Sequence, residues 1–305
     1  MKNWLKLVRA PFVSVTVGGI TIGSLYPLWK DGIFHWGRFL LALVAGVLLH
    51  FATNVANDYF DYLSGTDREN RVAIPPFSGG SRVLLEGKIS PGAALAAAIL
   101  MTLVAAAIGL YLNYILPGNT LLYIGLIGVF LIYSYNGLLK LVRFYLGEIA
   151  IFLAWGPLMV EGSYFIQTGK LSKELLPISF MLGILTLLIL FINEFADEEA
   201  DRKTGRRMWI HLFGRKNSTY VHLILNIIAF GCLAYSILSG TAPVISALAF
   251  LALPLAYSAF LHAKRNVNEP HPKFLPAIIK TINTYNLSFL LLVVSILAAS
   301  FIWKT

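Results

Sequence analysis

Charge is scarce in this chain. Asp, Glu, Lys and Arg together make up 13% of its 305 residues, while 57% are hydrophobic. A soluble domain carries about 25% charged residues, so that class is excluded at the outset. Cysteine is nearly absent: Cys232 stands alone, and no intrachain disulfide can form. The six histidines and that cysteine show no zinc-ligand spacing. Nor is there a cleavable signal pattern, because the basic N-terminus leads into a full-length apolar span without a small-residue cleavage site.

What is present is a series of apolar runs. Nine fall at approximately 11–29, 37–60, 91–114, 119–138, 144–167, 174–196, 218–239, 241–263 and 276–302. A run of roughly 20 residues crosses a hydrocarbon layer of about 30 Å as a helix, and lipid offers no partner for backbone left free by any other open form. Pro117-Gly118-Asn119, Ser239-Gly240-Thr241 with Pro243, and the polar stretch Asn266 to Pro272 mark breaks between spans. The expectation is an all-α membrane protein with nine transmembrane helices around a central cavity. It reads as one domain, 1–305, of two weakly related helical units, about 1–140 and 141–305.

Alternate loops of that layout differ in basic content. Nineteen Lys and Arg fall on the side of the N-terminus, in Lys2–Arg9, Arg68–Lys88, Lys140–Arg143, Arg202–Lys216 and Lys264–Lys280, against five on the other. The positive-inside rule then puts the N-terminus in the cytoplasm. The net charge of +9 is thereby a topological signal and calls for no nucleic-acid partner.

Against this background two acidic clusters stand out on the cytoplasmic side. Asn54, Asp58 and Asp61 end the second span, with Asp67 just beyond; Asn193, Asp197 and Asp201 end the sixth. Each is expected to precede a long polar loop. Residues three and four apart share a helix face, so each cluster should form one acidic surface, and two such surfaces facing one cavity would concentrate four carboxylates. Carboxylates are costly at membrane depth and mark functional sites. A hard divalent cation offsets their repulsion, and magnesium commonly shares its coordination with substrate phosphates. Glu194, Glu198 and Glu199 fall on other faces and are expected to be solvated or paired with Arg202 and Arg206. Glu161, inside the fifth span, is either hydrogen-bonded in its neutral form or lines the cavity.

Phosphate binding needs cations as well. Arg82, Lys140, Arg143, Arg202, Lys203, Arg206 and Arg207 all lie on the acidic side. Lys140 follows Tyr133, Ser134, Tyr135 and Asn136, which brings aromatic and cationic groups to one depth. The tyrosines suit an interfacial belt, or an aromatic face beside a developing carbocation.

These segments carry a family resemblance. NDYFDYLSGTD (Asn57 to Asp67) resembles the first aspartate-rich motif of the UbiA family of intramembrane prenyltransferases, and NEFADEEADRKTGRR (Asn193 to Arg207) resembles the second. YSYNGLLK (Tyr133 to Lys140) is similar to the family's tyrosine and lysine region. The first motif's wording and LGEIAIFLAWGPLMVEGSYFIQTG (Leu146 to Gly169) resemble the 1,4-dihydroxy-2-naphthoate, menaquinone-type members most. The resemblance implies Mg2+-dependent transfer of a polyprenyl group from a prenyl diphosphate to an aromatic acceptor inside the membrane lipid. It assigns metal binding to Asp58, Asp61, Asp197 and Asp201, with Tyr133 and Tyr135 in the catalytic cavity. Asn54, Asn193, Asp67, Lys140, Arg143, Arg82 and Arg202 are the substrate-side residues. The stretch MWIHLFG (Met208 to Gly214) departs from the family pattern and bears on the acceptor. Other acceptors, namely a glycerophosphate lipid, 4-hydroxybenzoate, a haem or a chlorin, fit the same motifs. A cation-coupled transporter is the alternative of another class, because membrane carboxylates in related halves suit one too.

Overall fold

Backbone beside lipid must satisfy its own hydrogen bonds, and among the described residues the chain is helical without a strand. A computed structural model describes residues 2–70, 77–269 and 273–302. The short α1 (Lys2–Leu7) leads through a tight turn into α2 (Ser14–Asp31), followed by α3 (Trp36–Ser64) and the single turn α4 (Thr66–Glu69). Then come α5 (Pro91–Tyr114) and α6 (Thr120–Asn136). Helices α7 (Gly147–Leu153) and α8 (Met159–Thr168) are one rod joined through a π-helical turn, Ala154–Leu158. The chain continues as α9 (Leu176–Lys203), α10 (Trp209–Leu238, kinked at Gly214 where φ is 72° and ψ 156°), a 3-10 segment (Val244–Ala252) running into α11 (Leu253–Arg265), and α12 (Leu275–Ile302).

Among the described residues eight of these helical runs are long and apolar enough to cross a membrane. The remaining apolar helix, α6, has 17 residues, about 26 Å of rise. The breaks at Pro117-Gly118 and Ser239-Gly240 fall between helices. The third break is described only as far as Glu269, and Pro270–Pro272, like Arg71 and Lys304 of the charge count, lies outside the described residues.

Local signals account for several ends. Ser90 caps α5 by accepting from the Ala93 amide at 3.2 Å, with Pro91 at the first helical position. Pro157 has no amide hydrogen to offer the α-helical ladder, and the rod widens into its π turn there. One boundary differs from expectation. Helix α9 runs on to Lys203 and α10 begins at Trp209, so a turn of five residues, 204–208, follows the second acidic cluster instead of a long polar loop.

Helix α9 is the core of the bundle, with 78% of its apolar window buried, against 28% for α3. It packs on α10, α12 and the α7–α8 rod. Gly156 allows the rod this close: a Cβ there would lie 2.6 Å from the Ser179 carbonyl and 2.7 Å from Gly183 Cα. Large apolar side chains such as Leu100, Leu110, Ile227 and Leu251 remain exposed on the outside of the bundle, as lipid-facing positions do.

Candidate active site

A cavity of about 650 Å³ opens between α2, α3, α5, α6, the α7–α8 rod and α9. Its body is apolar, walled by residues such as Leu103, Leu121, Leu131, Ile132 and Leu190. At one end the lining changes to Asp61, Asp67, Asp197, Asp201, Asn54, Asn57, Asn193, Arg9 and Arg206. Both acidic clusters therefore reach one chamber, as their spacing predicts.

The second cluster behaves as one face: Asn193, Asp197 and Asp201 all line the cavity. Asn193 spends its amide on the Ile189 carbonyl at 2.8 Å, which leaves its Oδ1 buried without a hydrogen-bond partner. Asp197 accepts from the Asn70 side chain and, at 3.0 Å, from the Gly79 amide. These bonds fasten the segment after the first cluster onto the second.

The first cluster is split. Asn54, Asn57 and Asp61 face the cavity, whereas Asp58 is turned to Arg9 and to the Ser81 amide, 2.9 Å away. The expected single face of Asn54, Asp58 and Asp61 is corrected accordingly, because a guanidinium arriving from the N-terminal segment captures the middle carboxylate. Burial by itself would lower the Arg9 pKa, yet Asp58 raises it above its ordinary value. Asp67 completes the acidic end instead. Its carboxylate sits so close to Gly80 that a Cβ there would lie 2.7 Å from both oxygens, and Gly80 holds φ at 69°. Burial first, then Asp61 and Asp58, push the Asp67 carboxyl well above the usual carboxylate range.

Arg206 joins the clusters. Its Nη1 donates to Asp61 Oδ1 at 2.8 Å, and Nε lies 3.3 Å from Asp201 Oδ1, near enough for an ion pair but off the hydrogen-bond line. Asn136, at the end of α6, also donates to Asp61. Burial opposes charge on Arg206, yet Asp201 and Asp61 hold its pKa well above the ordinary value. The start of α10 explains how Arg206 is placed. The Trp209 amide donates to Glu148, and the Ile210 amide donates to Glu194 at 3.1 Å. Two carboxyl groups from neighbouring helices thus cap α10 and fix the turn that carries Arg206. Glu194, expected to be solvated, is 2% exposed and serves this cap.

The remaining expectations divide. Tyr135 lines the cavity, while Tyr133 does not and shares a 3.0 Å hydrogen bond with the wall residue Thr102. Lys140 and Arg143 line, together with Arg206, a smaller cavity of about 310 Å³ next to the main one. Arg82 donates to the Asn70 carbonyl at 3.0 Å. Arg202 lies in an exposed ion pair with Glu198 at 2.9 Å, away from the cavity. Glu199 pairs with Lys203, and Arg206 with aspartates instead of glutamates. Glu161 accepts from the Ser172 amide at 3.0 Å and does not line the main cavity, so the expectation of a cavity role is not met. Sequence reasoning missed Arg9, Asn57, Asn70, Asn136 and Glu148. Asn57 and Asn136 sit within motifs already recognised and were within reach. Arg9 and Asn70 join through folding alone.

Comparison with known proteins agrees with this geometry. The model of the UbiA prenyltransferase family matches residues 16–290. A 2-carboxy-1,4-naphthoquinone phytyltransferase of Synechocystis is 27% identical over 271 residues, 88% of this chain and 85% of that protein. A 1,4-dihydroxy-2-naphthoate octaprenyltransferase of Haemophilus influenzae is 26% identical over 282 residues, 89% of each. In fold the chain is similar to a UbiA homologue from Archaeoglobus fulgidus solved with DMAPP and Mg2+, at a TM-score of 0.64 and 15% identity, over 98% of this chain and 99% of that one. The chain is a multi-pass membrane enzyme and belongs to the UbiA prenyltransferase family.

Proposed function

We propose that the protein transfers a polyprenyl group from a prenyl diphosphate to an aromatic acceptor of the dihydroxynaphthoate type. The single observation behind this reading is the two-part cavity: an apolar body of a kind that suits a prenyl tail, closed by four carboxylates and two guanidinium groups. The names of the naphthoate-prenylating relatives support the acceptor class.

The acidic end suits magnesium. Its donors are all oxygens, and Asn57 Oδ1, Asn193 Oδ1 and Asp201 Oδ1 are buried without hydrogen-bond partners. Among the described residues no three His, Cys, Asp or Glu form a closed metal cage. Magnesium needs none, because it uses one or two carboxylates together with phosphate oxygens and water. Asp61, Asp67, Asp197 and Asp201 would hold it, with Asp58 supporting from its bond to Arg9. When bound, the ion neutralises charge on the departing diphosphate.

The protein's own groups supply the rest. Arg206 and Arg9 present cationic donors to the diphosphate oxygens. The allylic carbon–oxygen bond breaks, and its electron pair leaves on the diphosphate. Tyr135 offers an aromatic face to the positive allylic carbon. For dihydroxynaphthoate, the ring carbon that bears the carboxylate donates the electron pair of the new bond; the carboxylate then departs as carbon dioxide, and the electron pair of its broken carbon–carbon bond restores the aromatic ring. The apolar wall keeps water from capturing the cation first.

Nine crossings, with the acidic end at the cytoplasmic face, complete the reading. Eight long apolar helices and the shorter α6 among the described residues, together with the Lys/Arg asymmetry, support it, and labelling of single cysteines from each side of sealed vesicles tests it. For the chemistry, purified protein with Mg2+, prenyl diphosphates of several lengths and a panel of acceptors should give a prenylated naphthoquinol by mass. Full activity in both Asp61→Ala and Asp197→Ala would sink the proposal.

A further inference from the structure

One helical turn along α3 from Asn54, where the acidic end gives way to the apolar body, the wall contains a polar network that spans three helical elements. Thr16 of α2 lies 2.9 Å from His50 Nδ1 of α3, and Trp155, on the π turn, donates through Nε1 to the same Thr16 hydroxyl at 3.0 Å. The His50 and Trp155 rings meet edge-on, with centroids 6.0 Å apart. All three residues line the cavity. Thr16 is fully buried and His50 is 5% exposed.

Four other hydroxyls of the apolar wall are already committed. Thr53, Thr102, Ser163 and Thr186 each donate to the carbonyl four residues back in their own helix. Such bonds ask nothing of a ligand. The His50 network differs, because His50 Nε2 is buried and has no partner among the described residues. An unpaired ring nitrogen in an apolar wall weakens the fold unless a ligand takes up the bond. With the Thr16 hydroxyl hydrogen on Nδ1, the neutral ring carries its own hydrogen at Nε2 and offers a donor.

A prenyl tail has no use for that donor, since it carries no polar atom beyond its diphosphate. The other substrate does. His50 precedes Asp61 by eleven residues, about 16 Å along α3. That interval would leave room for the diphosphate beside Asp61, then the reacting carbons, and then the acceptor ring system beside His50.

Resting on the function proposed above, we infer that His50, held by Thr16 and Trp155, is the acceptor-orienting residue, and that its Nε2 binds a hydroxyl or carboxylate oxygen on the far side of the aromatic acceptor. The π turn then has a purpose: it brings Trp155 against Thr16 and so fixes the imidazole.

The test is steady-state kinetics in detergent with both substrates varied. His50→Phe should raise the KM for 1,4-dihydroxy-2-naphthoate about tenfold or more and leave the KM for the prenyl diphosphate within about twofold. His50→Gln, which keeps a donor near the Nε2 position, should recover most of the loss. Thr16→Val keeps the shape, removes the support, and should raise the acceptor KM a few-fold; it carries the test should His50→Phe not fold. Inhibition constants for acceptor analogues lacking one oxygen substituent each give a further readout. One analogue should bind wild type and His50→Phe equally, because the lost partner is then absent on both sides. An unchanged acceptor KM, or a parallel rise in both KM values, overturns the assignment to His50 alone. Wild-type protein that binds prenyl diphosphate yet prenylates no aromatic acceptor overturns the proposed function along with it.

Discussion

The two acidic clusters share a spacing and differ in what surrounds them. The second sits on α9, the most buried of the eight long spans, and all three of its polar residues face the cavity. The first sits on α3, whose outer side is open to lipid, and its middle carboxylate is drawn to Arg9. A buried helix has one free face left, so its periodicity alone decides where the side chains point. A peripheral helix end meets mobile cations and loop amides, and these compete for its carboxylates. Equal motifs therefore do not imply equal roles: α9 provides a rigid acidic wall, and α3 provides half a wall plus an anchor for the N-terminal segment.

The sharpest way to break this comparison is to remove one cavity carboxylate from each side. Asp61→Ala and Asp197→Ala should each lower kcat/KM by about a thousandfold or more, since each removes charge organised for the departing diphosphate. The measurement is product formation with radiolabelled prenyl diphosphate. Asp58→Asn should behave otherwise, keeping measurable turnover while losing on the order of 3 kcal/mol of stability, because Arg9 is left mostly buried without its partner. A thermal melt beside the same assay separates the two effects. Loss of activity in Asp58→Asn equal to that in Asp61→Ala, at unchanged melting temperature, would restore equality between the positions.

Arg206 ties the two walls, and its replacement tests whether the tie matters. Arg206→Lys keeps the charge but cannot span Asp61 and Asp201 with one planar group; kcat/KM should fall about a hundredfold. A smaller effect is expected at Gly80, where alanine would press on the Asp67 carboxylate and strain a left-handed backbone. Gly80→Ala should raise the prenyl diphosphate KM about tenfold. The smallest belongs to Arg202, exposed and paired with Glu198. Arg202→Ala should change stability by less than about 0.5 kcal/mol and leave the kinetics as they were, so a large loss there would move the site's boundary outward.

Much of the architecture was legible because lipid leaves few choices. Apolar runs near 20 residues must be helices, and the turns at Pro117-Gly118 and Ser239-Gly240 mark where those helices stop. Asp197 and Asp201 were legible for the same reason, since period and burial agree along α9. Three things were not. Asp58 turns away because of Arg9, 49 residues distant in sequence. Glu194 looked like a solvated off-face residue, yet it caps a helix whose first turn reads as loop. His50 carried no signal beyond being one of six histidines without ligand spacing, and only the arrival of Thr16 and Trp155 makes it part of a network.

By itself, then, the sequence determined the class, the helices and the residue types gathered at one end of the cavity, because those follow from desolvation cost and local periodicity. The tertiary structure alone decided which carboxylates face the cavity, which cation joins the two clusters, and which nitrogen deep in the wall is left for a substrate. Hydrogen bonds and ion pairs between distant segments depend on distances of a few tenths of an ångström, and no local pattern in the chain encodes them.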